Sequence, residues 1–141
     1  MPDVNILVYA HREDSRFHEA IKPWLDELVS SGERFALSEL VLSSFVRVVT
    51  NRSAFDPPTP ISEAFRVVAA LREAPNAVII SPGPDHWNIF ERLCTGLKIS
   101  GGRVSDVYHA ALAIEHDCEF VSVDAGFAAF PGLRWVNPLA S

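Results

Sequence analysis

A helix followed by a strand is predicted in residues 104–127, which read VSDVYHAALAIEHDCEFVSVDAGF. The helix is expected over about residues 105–116, and the mostly apolar run FVSV at residues 120–123 is typical of a buried strand. Asp106 falls in the first turn of that helix, and Asp124 stands where the strand leaves the sheet. Either acid could be a capping or turn residue, or a ligand at the mouth of a site.

The rest of the chain alternates helices with short strands in the same way. Further strands are expected at residues 35–37, 77–80 and 133–136, and further helices at residues 16–30, 39–50, 62–72 and from residue 86 onward. Strands separated by helices of roughly 10 to 15 residues indicate right-handed crossovers and a parallel sheet. The predicted fold is α/β, a three-layer α/β/α sandwich with a central parallel sheet of roughly four to five strands.

Composition indicates one domain spanning residues 1–141, because 48% of the residues are hydrophobic and 21% are charged. The proline-rich segment at residues 51–60 is expected to be an exposed loop within that domain. No apolar run approaches the roughly 18 residues that would cross a membrane, and the N-terminus does not resemble a signal peptide. The only cysteines, Cys94 and Cys118, are widely spaced, which favours a reducing, cytoplasmic location.

The net charge of −6 argues against a protein that holds nucleic acid by its own charge. Divalent cations held by clustered acids would nevertheless make the local charge positive. A phosphate could then bind there. The negative balance therefore leaves a metal-assisted nucleic-acid enzyme open.

Four carboxylates are expected at one edge of the sheet. Asp3 is predicted at the end of the first strand and Glu39 at the start of the helix that follows the second, while Asp106 and Asp124 hold equivalent places later in the chain. Ligands of parallel sheets bind beyond the carboxyl ends of the strands. Clustered carboxylates repel one another unless cations neutralise them, and all-oxygen ligands favour Mg²⁺ or Mn²⁺.

These residues resemble a known family. Its features are found in Asp3-Val4-Asn5, in SELVLSSFVRVVTN at residues 38–51, and in residues 104–139, which read VSDVYHAALAIEHDCEFVSVDAGFAAFPGLRWVNPL. Together they resemble the PIN-domain ribonucleases of the VapC toxin type, over essentially the whole chain. The resemblance implies Mg²⁺- or Mn²⁺-dependent hydrolysis of RNA phosphodiesters. It also implies a homodimer and a neutralising VapB-like antitoxin.

Carried over residue by residue, the resemblance makes Asp3, Asp106 and Asp124 the metal-binding acids. Asn5 matches a small polar residue of the family and would orient a carboxylate or a metal-bound water. A metal ion would lower the pKa of a coordinated water and stabilise the charge that develops on the phosphate oxygens. No general-base histidine is then required.

The chain departs from the family pattern at two places. Only Met1 and Pro2 precede Asp3, so either the first strand is very short or the true start lies upstream. The glutamate of the family lies about one turn deeper in its helix than Glu39, where this chain has Ser43, Ser44 and Phe45. Glu39 is expected either to serve instead or to be dispensable in a site of three acids.

Three basic residues are candidates for contact with RNA. Arg12 and Arg47 could bind phosphates, and Arg47 lies in the FVRVVTN stretch that resembles the family. His109 follows Asp106 by three residues, on nearly the same helical face, and could touch substrate or a metal-bound water.

Two other functions remain open at this point. One is an aspartyl phosphatase or phosphotransferase, although that chemistry commonly uses a DxD pair and Asn5 holds the third position here. The other is a PIN-like module that has lost catalysis and only binds a partner. The absence of the deeper glutamate is the reason for this alternative.

Overall fold

The computed structural model describes residues 1–140, in which helices alternate with short strands as the sequence predicted. The elements, in chain order, are α1 (Val4–His11), α2 (His18–Ser30), β1 (Phe35–Ser38), α3 (Glu39–Val49), α4 (Ile61–Arg72), β2 (Ala77–Ile80), α5 (His86–Leu97), α6 (Arg103–Glu115), β3 (Phe120–Val121), a 3₁₀ helix (Ala125–Ala129) and β4 (Trp135–Val136). The α/β class is confirmed.

All four strands pair in parallel. Strand β1 pairs with β2, and β3 pairs with β4. Pro2 adds a single parallel bridge to Val121, so the first strand is reduced to that bridge and Asp3 follows it directly. Because β3 and β4 have only two residues each, the ladder hydrogen bonds join the strands as two pairs and not as one continuous ladder of four to five strands.

Two hydrophobic clusters cover opposite faces of the strands. Phe35 and Leu37 of β1 are buried in one cluster, which includes residues of α1 to α4, while the intervening Ala36 packs against the other. Val121 and Phe120 of β3 divide between the clusters in the same way, and the second cluster includes residues of α5 and α6. Since neighbouring strand residues point to opposite faces, the helices form one layer on each side of the strands.

Helix α2 contains Pro23 and nevertheless continues through it to Ser30. The carbonyl that loses its helical partner is that of Glu19, in the exposed first turn, where water can bond to it. Within residues 1–140, no helix is both long and apolar enough to cross a membrane.

Candidate active site

The structure brings Asp3, Asp106 and Asp124 together in one cleft of about 560 Å³. Asp3 precedes α1, Asp106 lies in the first turn of α6, and Asp124 precedes the 3₁₀ helix that follows β3. Asn5, Arg47 and His109 line the same cleft. Six of the eight site residues expected from the sequence therefore meet at one place, and Glu39 and Arg12 do not.

Asp3 is the most deeply buried acid of the cleft, with 8% of its surface exposed. Its Oδ1 accepts a 2.7 Å hydrogen bond from the Val4 backbone N–H, which makes it the N-cap of α1. Its Oδ2 accepts a 2.7 Å bond from the Ser122 hydroxyl. Burial raises the pKa of Asp3, the charge of Asp124 adds to that rise, and the two hydrogen bonds oppose it.

Ser122 connects three polar groups of the site, although the sequence reasoning did not identify it. Its buried hydroxyl donates to Asp3 and accepts hydrogen bonds from the Asn5 side chain at 3.0 Å and from the Asp124 backbone N–H at 3.1 Å. The Asn5 side-chain oxygen also accepts from the Val123 backbone N–H at 3.4 Å. Asn5 thus joins α1 to the segment that follows β3. The available signal was the spacing of Ser122, two residues before Asp124.

Asp106 and Asp124 are more accessible than Asp3. Burial raises the pKa of Asp106, and the charges of Asp124 and Asp3 add to the rise, while Arg103 and His109 oppose it. Asp124 is exposed and its Oδ1 accepts a 2.8 Å bond from the Gly126 backbone N–H. Asp124 is therefore a turn residue and a cleft residue at once. The mutual influence of these acids shows a local excess of negative charge that a cation would relieve.

His109 is 7% exposed, and its Nδ1 is buried without a hydrogen-bond partner among the described residues. Burial lowers the pKa of this imidazole, and the nearby Asp106 opposes the shift. Its place on the cleft wall agrees with the position expected from the spacing to Asp106.

Helix α3 contributes Arg47 and Ser44 to the cleft, whereas Glu39 points elsewhere. Glu39 is exposed and pairs with Arg72 of α4 at 2.7 Å. Ser44 lies five residues after Glu39, and that interval places the two side chains about 140° apart around the helix. The expectation that Glu39 could replace the deeper acid is corrected on this ground: the helix turns it toward α4.

Arg12 lies outside the cleft lining as well. Its guanidinium binds Asp14 at 2.8 and 2.6 Å and stands 4.5 Å from the ring centre of Phe55, which does line the cleft. Arg12 therefore supports the cleft wall from behind, and its charge is already matched by Asp14.

The cleft acids suit a hard divalent cation only with help from other ligands. Among residues 1–140, no three His, Cys, Asp or Glu side chains lie close enough together to form a metal site by themselves. Mg²⁺ usually keeps several waters and binds through one or two carboxylates together with substrate phosphates. An open cleft with buried Asp3 and more accessible Asp106 and Asp124 fits that mode, and it does not fit an all-protein cage.

Comparison with protein families gives one match by a family model, described as PIN domain, over residues 1–133. Two similar proteins come from Mycobacterium tuberculosis. Ribonuclease VapC43 is 42% identical over 137 residues, covering 97% of this chain and 93% of the relative. Ribonuclease VapC25 is 39% identical over 136 residues, covering 96% of each.

Among solved structures, a similar chain occurs in VapBC2 from Rickettsia felis, bound to a DNA fragment from their promoter. The TM-score is 0.72 at 20% sequence identity, covering 97% of this chain and 96% of the other. At that identity the likeness concerns the fold, and it agrees with the α/β architecture described above.

Proposed function

The chain belongs to the PIN domain family, among the VapC ribonucleases, and we propose that it is the ribonuclease toxin of a toxin–antitoxin pair. The reaction would be hydrolysis of RNA phosphodiester bonds. The observation that carries this proposal is the meeting of Asp3, Asp106 and Asp124 in one cleft that Arg47 also lines.

We propose Mg²⁺ as the cofactor, with Mn²⁺ able to substitute, bound through carboxylates of these acids together with waters and phosphate oxygens of the RNA. When bound, such an ion would supply positive charge that lowers the pKa of a bound water and stabilises the phosphate oxygens as charge develops. The raised pKa of Asp3 and that of Asp106 support the choice, because a cation would relieve the repulsion that contributes to both shifts.

The side chains of the cleft divide the remaining work. Asp3 is fixed by Ser122 and by the start of α1, so it offers a carboxylate whose direction is set before any ligand arrives. Arg47 adds a positive charge to an otherwise acidic cleft and is placed to bind a phosphate of the RNA. His109 stands beside Asp106 and would contact the substrate or a water in the cleft.

The residue at position 5 weighs against an aspartyl phosphatase. That chemistry commonly uses a DxD pair, and the third position here is Asn5, whose side chain bonds Ser122 and Val123.

The proposed partners are RNA, a VapB-like antitoxin and a second copy of the chain. Support for the antitoxin comes from the fold neighbour, which is described as VapBC2. An antitoxin arginine entering the acidic cleft could pair with its carboxylates and block the RNA. We expect the protein to act in the cytoplasm, where RNA is plentiful.

The test is cleavage of total RNA by the purified protein with Mg²⁺, with Mn²⁺ and with EDTA. We expect discrete products that require the metal and that Asp106→Asn reduces by at least about 100-fold, the upper range for losses at groups that support metal ligands. Glu39→Gln is the matched control, because Glu39 is an acid of the same region that lies outside the cleft. A folded wild-type protein that binds the antitoxin and cleaves no RNA would favour the binding module instead.

A further inference from the structure

We propose that Arg103 is the resident counter-ion of the acidic cleft and becomes a ligand of the RNA phosphate when a divalent cation takes over the neutralisation of the acids. This inference rests on the proposed ribonuclease function. Arg103 is the first residue of α6 and precedes Asp106 by one helical turn. Its Nε lies 3.8 Å from the Asp106 Oδ2, so the cation stands beside an acid of the cleft.

The guanidinium of Arg103 is held in place from two other sides. Its Nη2 donates a 3.0 Å hydrogen bond to the Gly126 carbonyl, and its Cζ lies 5.1 Å from the ring centre of Phe130. These contacts restrict the conformations of the Arg103 side chain before any substrate binds. Less conformational entropy is then lost when the side chain binds a phosphate.

Gly126 connects Arg103 to the second accessible acid of the cleft. Its carbonyl accepts from Arg103 while its N–H donates to Asp124 at 2.8 Å. A Cβ at position 126 would lie 3.2 and 3.3 Å from the two Nη atoms of Arg103 and 3.1 Å from the Asp124 Oδ1. Glycine therefore permits the cation and this acid to approach the same stretch of backbone.

Arg103 also keeps donors free, unlike other arginines that form ion pairs here. Arg12 binds both oxygens of Asp14, and Arg72 binds Glu39 at 2.7 Å. The 3.8 Å approach to Asp106 is longer than a hydrogen bond, and 47% of the Arg103 side chain is exposed. A guanidinium carries five N–H donors in a planar fork that suits phosphate oxygens, and among residues 1–140 one hydrogen bond engages it, to the Gly126 carbonyl.

The charge of Arg103 should have opposite effects on the binding of a metal cation and on the binding of an RNA phosphate in the cleft. The Arg103 Nε lies 3.8 Å from the Asp106 Oδ2, so the guanidinium already neutralises part of the acidic charge. A metal cation must bind against that positive charge, whereas a phosphate is attracted by it. Removing the charge should therefore strengthen metal binding and weaken RNA binding.

The experiment measures both ligands on Arg103→Gln. Calorimetric titration with Mn²⁺ in the absence of RNA should show affinity about two- to fivefold tighter than wild type, the scale of one exposed ion pair. Cleavage of RNA at saturating Mn²⁺ should show kcat/KM about tenfold lower, the loss for one hydrogen bond to a charged group, mainly through a higher KM. Arg72→Gln makes the same charge change away from the cleft and should alter neither value.

A second variant, Arg103→Lys, keeps the charge and removes the planar fork. We expect it to retain wild-type Mn²⁺ affinity and to recover only part of the RNA cleavage. If Arg103 only ties the 3₁₀ helix to α6, Arg103→Gln would weaken Mn²⁺ and RNA together. That result, or no change in either ligand, overturns the inference. Wild-type protein that cleaves no RNA would instead count against the ribonuclease function, and the Mn²⁺ titration would still test the charge of Arg103.

Discussion

The Ser122 hydroxyl donates a 2.7 Å hydrogen bond to Asp3, which stands 119 positions earlier in the chain. This bond fixes the most buried acid of the cleft to the strand region that also delivers Asp124. The two acids are thus positioned relative to each other by one serine, which itself is completely buried.

We expect Ser122→Ala to impair both activity and folding. Asp3, Asn5 and the Asp124 backbone N–H would each lose a partner, with about 1–3 kcal/mol lower unfolding free energy for a buried polar group left unsatisfied. The loss of kcat/KM should be about 10- to 100-fold, as for other residues that orient metal ligands. Urea unfolding and RNA cleavage measure the two effects. Ser43→Ala, at an exposed helical serine whose hydroxyl donates to the Leu40 carbonyl, should leave both nearly unchanged.

Asp106→Asn should raise the Tm of the metal-free protein at pH 7. The folded state raises the pKa of Asp106, so it holds this proton more tightly than the unfolded chain does, and ionisation disfavours folding. That penalty is complete above the folded-state pKa and disappears as the pH falls below the ordinary value of 3.8. The gain in Tm should therefore shrink steadily in acid. Asp26→Asn, at an exposed acid paired with Lys22, serves as the control, and a gain that is independent of pH would contradict the expectation.

Glu39→Gln should leave RNA cleavage within about twofold of wild type, because an exposed ion pair with Arg72 contributes little and lies outside the cleft. Ser44→Glu, in contrast, should change the affinity of the cleft for metal. It would add a fourth carboxylate to the cleft wall and tighten Mn²⁺ binding by roughly tenfold, since one more anion attracts the cation. Titration calorimetry on the two variants decides the matter, and equal Mn²⁺ affinities would refute a site built around this cleft.

His109→Leu should increase the free energy of unfolding by about 1 kcal/mol, because the buried Nδ1 has no partner to lose among the described residues. His86→Leu provides a matched contrast. His86 is also buried, at 2% exposure, but its Nε2 bonds the Tyr108 carbonyl at 3.0 Å, so the same change should destabilise the protein. Urea denaturation compares the two. A loss of RNA cleavage in a stabilised His109→Leu variant would support substrate contact by this imidazole.

The sequence predicted the positions of Asp106 and Asp124 because each stands at the boundary of an element with a strong periodic signal. A residue at the end of a parallel strand, or at the start of a helix packed on the sheet, lies at one edge of the sheet. This placement does not depend on how the individual side chains pack. Asp3 was predicted at the same edge, and the structure shows why a strand of almost no length suffices: the bridge from Pro2 to Val121 aligns it.

The orientation of Glu39 could not be predicted from the sequence, because it depends on which face of α3 packs against the core. Phe45 and Val49 are fully buried and fix that rotation, which carries Glu39 toward α4 and Ser44 toward the cleft. Ser122 was missed for a different reason. A serine near the end of a predicted strand carries no signal until its partner Asp3 is known, and that pairing spans most of the chain.

The two roles of Asp3, as N-cap of α1 and as an acid of the cleft, bear on how a cell could escape the proposed toxin. Substitutions at Asp3 that leave no side-chain acceptor would lower stability as well as activity, because the N-cap of α1 and the partner of the buried Ser122 hydroxyl are lost together. Changes at the exposed Asp124 would leave a stable, silent protein that still occupies antitoxin. Such an inactive protein, expressed beside an active copy, would bind the antitoxin by competition and leave the active toxin uninhibited. Genetic selection for survival should therefore favour lesions at Asp3 in cells that carry both copies.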